Sequence, residues 1–180
     1  MLKLLLLFSF SLLLQADVYD DFSKHLKDKN YESACQVGKK IFFNQERDEK
    51  FLALIGQACL KADYIDTLAM IQSRLRESES ARKNSALFSS IVLQKRLIYQ
   101  FMYDSTDIST LALPISNHPL SHAFIAIRDK TYSLISKDPK VIEFFKEDRK
   151  YKLYIDPDKN GKVTIEIKDR DNKISIHRYL

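Results

Sequence analysis

Between Asp17 and Tyr103 the apolar residues recur at helical spacing, and polar breaks separate the runs at regular distances. That pattern restricts this half of the chain to amphipathic helices that bury one face against each other. Phe22 and Leu26 share a face before the break Lys27-Asp28-Lys29-Asn30. Tyr31, Ala34, Cys35, Gly38, Ile41 and Phe42 define a second helix. The polar stretch from Asn44 to Glu49 precedes a third, with Phe51, Leu52, Ile55, Cys59 and Leu60. Asp63 starts a fourth with Ile65, Leu68, Ala69, Ile71 and Leu75, and a longer fifth over about 80–103 carries Leu87, Phe88, Ile91, Val92, Ile98, Phe101 and Met102.

The first four helices read as two copies of one unit. A shift of 33 places sets Phe22 on Ile55, Ser23 on Gly56, Leu26 on Cys59, Asn30-Tyr31 on Asp63-Tyr64, Cys35 on Leu68, Gly38 on Ile71 and Phe42 on Leu75. Paired helices at such a period suggest a helical-hairpin array, in which each hairpin buries its apolar face against its neighbours. The stretch Leu54-Ile55-Gly56-Gln57-Ala58-Cys59-Leu60-Lys61-Ala62-Asp63-Tyr64 resembles the first helix and turn of the tetratricopeptide repeat family. Gly56 stands where a small residue lets helices approach, and Tyr64 opens the second helix. The resemblance covers residues 20–77 and departs from the family at Thr67, where a small apolar residue is usual; no proline closes either repeat. It implies a protein-binding scaffold with a concave groove, with Tyr31, Gln57, Lys61 and Tyr64 as partner-binding candidates. A plain antiparallel helical bundle is the alternative arrangement.

Met1-Leu2-Lys3, the apolar run from Leu4 to Leu14, and Gln15-Ala16 before the first acidic residue Asp17 have the layout of a secretory signal peptide. Residues 1–16 are expected to be removed after Ala16. The apolar run is shorter than the roughly 20 residues that span a bilayer, so no stable membrane span is expected after cleavage. The mature protein is expected to be periplasmic or secreted.

The formal net charge of +5 is spread over mixed stretches such as Arg47-Asp48-Glu49-Lys50 and Lys146-Glu147-Asp148-Arg149-Lys150, the composition of solvated helix faces. A nucleic-acid groove needs segregated basic residues with aromatics between them, so nucleic acid is not an expected partner. The only glycines, Gly38, Gly56 and Gly161, are far apart, which excludes phosphate-cradling loops. No cofactor is expected.

Beyond Tyr103, 104–107 reads as a loop and Ile108 to Leu113 as a short helix stopped by Pro114. Asn117-His118-Pro119 looks like a cap followed by first-turn proline, opening a helix to about Ser136 with Leu120, Phe124, Ile127, Leu134 and Ile135 in the core. Asp138-Pro139 repeats the signal for a last helix through Val141, Ile142, Phe144 and Phe145. The period then changes to two: Leu153 and Ile155, then Val163, Ile165 and Ile167, then Ile174 and Ile176, each alternating with polar or aromatic residues. Three such strands form an antiparallel meander with one apolar face. The expected fold class is α+β, mostly α: antiparallel helical hairpins followed by a C-terminal three-stranded antiparallel β-meander. Residues 17–180 are read as a single compact domain, with 17–103 the repeat-like hairpins, 104–150 further helices and 151–180 the meander.

Cys35 and Cys59 are the only cysteines, and an even pair in an exported chain reads as a disulfide. The second helix of one hairpin packs on the first helix of the next, which brings the two positions together. Two buried thiols are the competing state; no Cys-x-x-Cys redox motif occurs. Asp156, Asp158, Asn160 and Gly161 match the opening of a calcium loop, but Ile167 occupies the twelfth position, and Asn160-Gly161 between alternating runs is also a hairpin signal. His118 and His122 stand at ligand spacing on a helix without a third partner, while His25 and His177 read as solvated, His177 on the polar face of the meander. No catalytic serine elbow or other catalytic set is present. The functional expectation is an exported scaffold or adaptor for another cell-envelope protein. The alternatives are a cell-envelope hydrolase with an unrecognised carboxylate site and a small-ligand or calcium-binding module.

Overall fold

The computed structural model describes residues 18–44, 46–159 and 161–179. The expected signal peptide 1–16 and its expected cleavage after Ala16 lie outside these residues, as does Asn160. The fold is α+β, and the chain divides into two compact units, residues 1–85 and 86–180.

In the first unit, α1 (18–27), α2 (Tyr31–Phe43), α3 (Glu49–Lys61) and α4 (Ile65–Ile71, extended by the 3-10 turn Gln72–Arg74) follow the sequence periodicity. Most positions the spacing marks are buried: Phe22; Ala34, Cys35, Ile41 and Phe42; Leu52, Ile55 and Cys59; Ile65, Leu68, Ile71 and Leu75. Leu26, Tyr31, Phe51, Leu60 and Ala69 are half-buried, and Ala58 joins the core unmarked. Gly38 permits the closest approach: a β-carbon there would lie 2.7 Å from Ile55 Cγ2 and 3.2 Å from the Phe22 ring. Cys35 and Cys59, both fully buried, are joined by a disulfide that ties α2 to α3.

α1 and α3 end in the same way. After α1, Asn30 N–H donates to His25 O (2.9 Å) and Lys29 N–H to Leu26 O (3.2 Å); after α3, Tyr64 N–H donates to Cys59 O (3.0 Å) and Asp63 N–H to Leu60 O (3.3 Å). Both are Schellman closures, with Lys29 (φ 56°) and Asp63 (φ 65°) in the left-handed conformation. The starts of the following helices, Tyr31 and Ile65, are 34 places apart. The backbone breaks therefore repeat one place out of step with the apolar pattern, which aligns at 33.

The Glu49 carboxylate, at the start of α3, accepts from the N–H groups of Arg76, Glu77 (2.7 Å) and Ser78 (3.0 Å) and from the Ser78 hydroxyl (3.2 Å). These hydrogen bonds, that of Glu77 first, hold its carboxyl at about 2, against an ordinary 4.5. Because the folded value is depressed, the contribution of Glu49 is complete above the unfolded carboxyl range and is lost as pH falls toward 2. Glu49→Gln is therefore expected to flatten the acid limb of stability between about pH 4.5 and 2, read by urea denaturation across that range. An unchanged limb would show that other carboxylates govern acid unfolding.

α5 (Glu79–Asp104) starts in the first unit and ends in the second, where it is followed by an irregular segment and α6 (Pro119–Arg128). The expected helix over 108–113 is absent: the segment forms a turn at 109–110 and is otherwise irregular. It is fixed instead by a buried polar network. Gln94, fully buried on α5, donates to Pro114 O (2.8 Å) and Ser90 Oγ (3.2 Å) and accepts from the Ser121 hydroxyl (2.7 Å). Ser90 also donates to Pro114 O (2.7 Å), and Ser116 meets Ser121 at 3.0 Å.

The C-terminal sheet has five strands, not three: β1 (Ser133–Lys137), β2 (Lys140–Lys146), β3 (Arg149–Asp156), β4 (Lys162–Lys168) and β5 (Ile174–Tyr179), antiparallel in chain order. Two expected helices are thus corrected. α6 ends at Arg128 in a third Schellman closure, with Thr131 N–H donating to Ala126 O and Lys130 at φ 55°. Asp138-Pro139 is the turn between β1 and β2, not a helix start. Ile142 and Phe144 point inward with Tyr151, Leu153, Val163 and Ile165, while Phe145 is 74% exposed.

The register corrects β5 as well. Residues opposed across an antiparallel pair share a face. His177 opposes Ile165 and Tyr179 opposes Val163, so these two join the apolar face, and Tyr179 is buried. Ile174 and Ile176 project from the other face and are exposed.

Candidate functional site

Three of the four sequence-derived partner-binding candidates form one surface cluster in the first unit. Tyr31 opens α2 and Lys61 closes α3, side by side because the disulfide holds the neighbouring turns together. The Lys61 ammonium lies 4.6 Å from the Tyr31 ring centre and donates to its hydroxyl at 3.1 Å. Tyr64, in the turn after α3, donates to Glu32 Oε1 at 3.0 Å, and Lys39 lies 5.6 Å over its ring. Both tyrosines are half-buried, while Glu32 and Lys61 are exposed. Such surface pairs contribute roughly 0.5–1 kcal/mol each, so their main effect is to hold two phenol rings still. Fixed tyrosines among mixed charges are the side-chain chemistry that anchors protein partners. Gln57 does not join them; its amide donates to Asn84 Oδ1 on α5 at 3.1 Å.

The Asp156 loop is a hairpin turn. Asp156 Oδ1 accepts from Asp158 N–H (3.1 Å), its Oδ2 lies 3.6 Å from Arg178, and Gly161 N–H donates to Asp156 O (3.1 Å). Among the described residues no group of three or more His, Cys, Asp or Glu side chains is placed to hold a metal ion. Gly161, at φ 68°, approaches the hydroxyls of the tilted ring pair Tyr99–Tyr103. Gly161→Ala is expected to cost about 1 kcal/mol through the left-handed backbone, measured as a lower urea midpoint. An unchanged midpoint would mean that the turn relaxes.

His118 caps α6, its Nδ1 accepting from Leu120 N–H at 3.2 Å. His122 Nδ1 lies 3.2 Å from the Tyr151 hydroxyl, and burial holds the imidazole below its ordinary range. Each histidine has a separate structural role, and they do not converge.

A feature that sequence reasoning missed lies in the second unit. The end of α5, the segment after it and the β1–β2 hairpin enclose an open hollow of about 460 Å³. Phe101, Ile108, Ile127, Tyr132 and Leu134 give it apolar walls; Lys130, Lys137 and Lys140 bring three ammonium groups, and Asp107 one carboxylate. Phe101 and Tyr132 meet edge to face at 5.5 Å. A second hollow of about 320 Å³ shares Ser105, Lys137 and Lys140 with it. Lys137 and Lys140 face each other across the β1–β2 turn, and Lys130 follows α6, so the cluster depends on that hairpin forming.

Comparison with known proteins gives no match: no family model, no curated protein and no solved structure matches this chain. Among the described residues no helix is long and apolar enough to cross a membrane.

Proposed function

We propose that the chain is an exported, periplasmic or secreted adaptor that binds another cell-envelope protein through its N-terminal helical hairpins. The observation that carries this reading is the paired helix–turn–helix arrangement of the first unit, with matching closures at Lys29 and Asp63 and helix starts 34 places apart. Helical hairpins recurring at about that period are the building unit of tetratricopeptide-like binding scaffolds. The fixed Tyr31–Lys61 and Tyr64–Glu32 pairs provide anchors on that surface. The Cys35–Cys59 disulfide supports an oxidising compartment, and the sequence of residues 1–16 supports export.

The test is crosslinking of the tagged full chain in its own cells, with mass spectrometry of the recovered complex and of the mature N-terminus. The adaptor reading expects one reproducible envelope protein with wild type and its loss with Tyr31→Ala/Tyr64→Ala, at unchanged circular dichroism. It also expects an N-terminus at Asp17. Recovery of the protein alone, or a partner kept by the double variant, overturns the proposed surface. An intact Met1 with the protein in the cytosol overturns export.

A further inference from the structure

We infer that the lysine-rimmed hollow of the second unit is a binding site for a small amphiphilic carboxylate, with its head on Lys140 and its apolar body against Phe101, Tyr132 and Leu134. The site is distinct from the adaptor surface, lying on residues 101–140.

The walls argue for an apolar body. Leu134 opposes Ile142 in the β1–β2 register, which puts it on the inward face of the sheet. Ile142 is fully buried there, yet Leu134 is 46% exposed. Leu134 lies on the edge strand and lines the hollow, so its inward face stays open. Ile108 and Ile127, both buried, complete the apolar lining. A hollow of this size, mostly apolar with a few placed polar groups, falls in the range of small-molecule sites.

The rim argues for an anionic head. Lys140 Nζ donates to Phe101 O and Ser105 Oγ, each at 2.7 Å, and stands 4.6 Å over the Phe101 ring. Both acceptors are neutral, and an ammonium has three donors, so one N–H is left to a ligand. Burial pushes the Lys140 ammonium below the ordinary lysine range, a shift that the Asp104 carboxylate opposes without reversing. A carboxylate at that point offsets the burial of the cation and makes a charge-assisted hydrogen bond. The one acidic side chain of the lining, Asp107, lies 4.0 Å from Lys130, and both are well exposed, so solvent screens that pair. A neutral amphiphile would leave the third Lys140 N–H without a charged acceptor, and a bare inorganic anion would leave the apolar walls uncovered.

Calorimetric titration of the full chain with sodium octanoate, 1-octanol and sodium acetate at neutral pH tests the assignment. Octanoate is expected to bind saturably at one site, with octanol and acetate each at least about tenfold weaker. Lys140→Met is expected to weaken octanoate about tenfold. Leu134→Glu changes an exposed position, so the fold persists, and it is expected to abolish binding by filling the hollow with a like charge. Absence of saturable octanoate binding overturns the proposal, as does equal affinity for octanol or retained affinity in Leu134→Glu at unchanged melting temperature. Co-sedimentation with phosphatidylglycerol vesicles but no binding of free octanoate also overturns it, because recognition would then belong to a charged lipid surface.

Discussion

Replacing Cys35 and Cys59 together by alanine is expected to cost about 3.5 kcal/mol in urea unfolding, and dithiothreitol is expected to do the same to wild type. The magnitude follows from loop closure: the bond joins residues 24 apart, and cross-linking a loop of that length removes about 3.5 kcal/mol of denatured-state entropy. Loss of two fully buried sulfurs adds a packing term of the same sign. Against a total stability of about 5–15 kcal/mol for an ordinary domain, that is a large share. With a urea slope of about 2 kcal/mol/M, the midpoint falls by roughly 1.5–2 M. A fall of less than about 1 kcal/mol would show that the unfolded chain already keeps α2 and α3 together. The cluster of Tyr31 and Lys61 sits one turn from the bond, so reduction is also expected to loosen the proposed partner surface.

Gln94→Leu is expected to cost about 2–3 kcal/mol even though it makes the core more apolar, because it strands buried groups on both sides of the side chain. Ser121 loses the acceptor of its hydroxyl, and Pro114 O loses one of its two donors. Gln94→Glu separates hydrogen bonding from shape. A carboxyl at this fully buried position has its folded pKa raised above the unfolded value, since burial disfavours the charged form. Stability of that variant is therefore greatest below the unfolded carboxyl range and falls as pH rises through the folded value. Denaturation at pH 4 and pH 8 checks this; an equal loss relative to wild type at both pH values would show that the site is open to water. Because the network fixes the segment after α5, whose first residues Ser105 and Ile108 line the hollow, Gln94→Leu is also expected to weaken octanoate binding.

The helices of the first unit were legible because each apolar face there is wide, periodic and bounded by charged breaks. The cysteine pair was legible for the same reason: two helices read correctly leave only one way for Cys35 and Cys59 to meet. The second unit was legible only where the alternation was long. Leu134-Ile135 and Val141 to Phe145 are apolar runs too short to separate strand from helix by spacing, and Asp138-Pro139 serves as well in a hairpin as at a helix start. The β2–β3 turn gave no signal either, since Glu147 (φ 50°) and Asp148 (φ 59°) adopt the doubly left-handed conformation usually carried by Asn-Gly. In β5, Ile174 and Ile176 suggested the inward face, but Tyr179 takes it, and a strand of strict alternation cannot satisfy both. Gln94 could have been found, because it continues the buried stripe between Ile91 and Ile98 at helical spacing. The lysine hollow is not legible, because it joins the β1–β2 hairpin, whose short runs do not separate strand from helix, to the end of α5 and the segment after it.

The left-handed turns have a consequence for the chain when it is not folded. Among the described residues seven such positions are held by Lys29, Asp63, Ser105, Lys130, Glu147, Asp148 and Asn172, and one by Gly161. Each non-glycine residue pays in the native state for a conformation it disfavours, yet it also wanders less through backbone space before folding than glycine would. A polypeptide that turns this often with three glycines in all has a comparatively narrow denatured ensemble. That narrowness shortens the search for its helix ends and hairpins during folding.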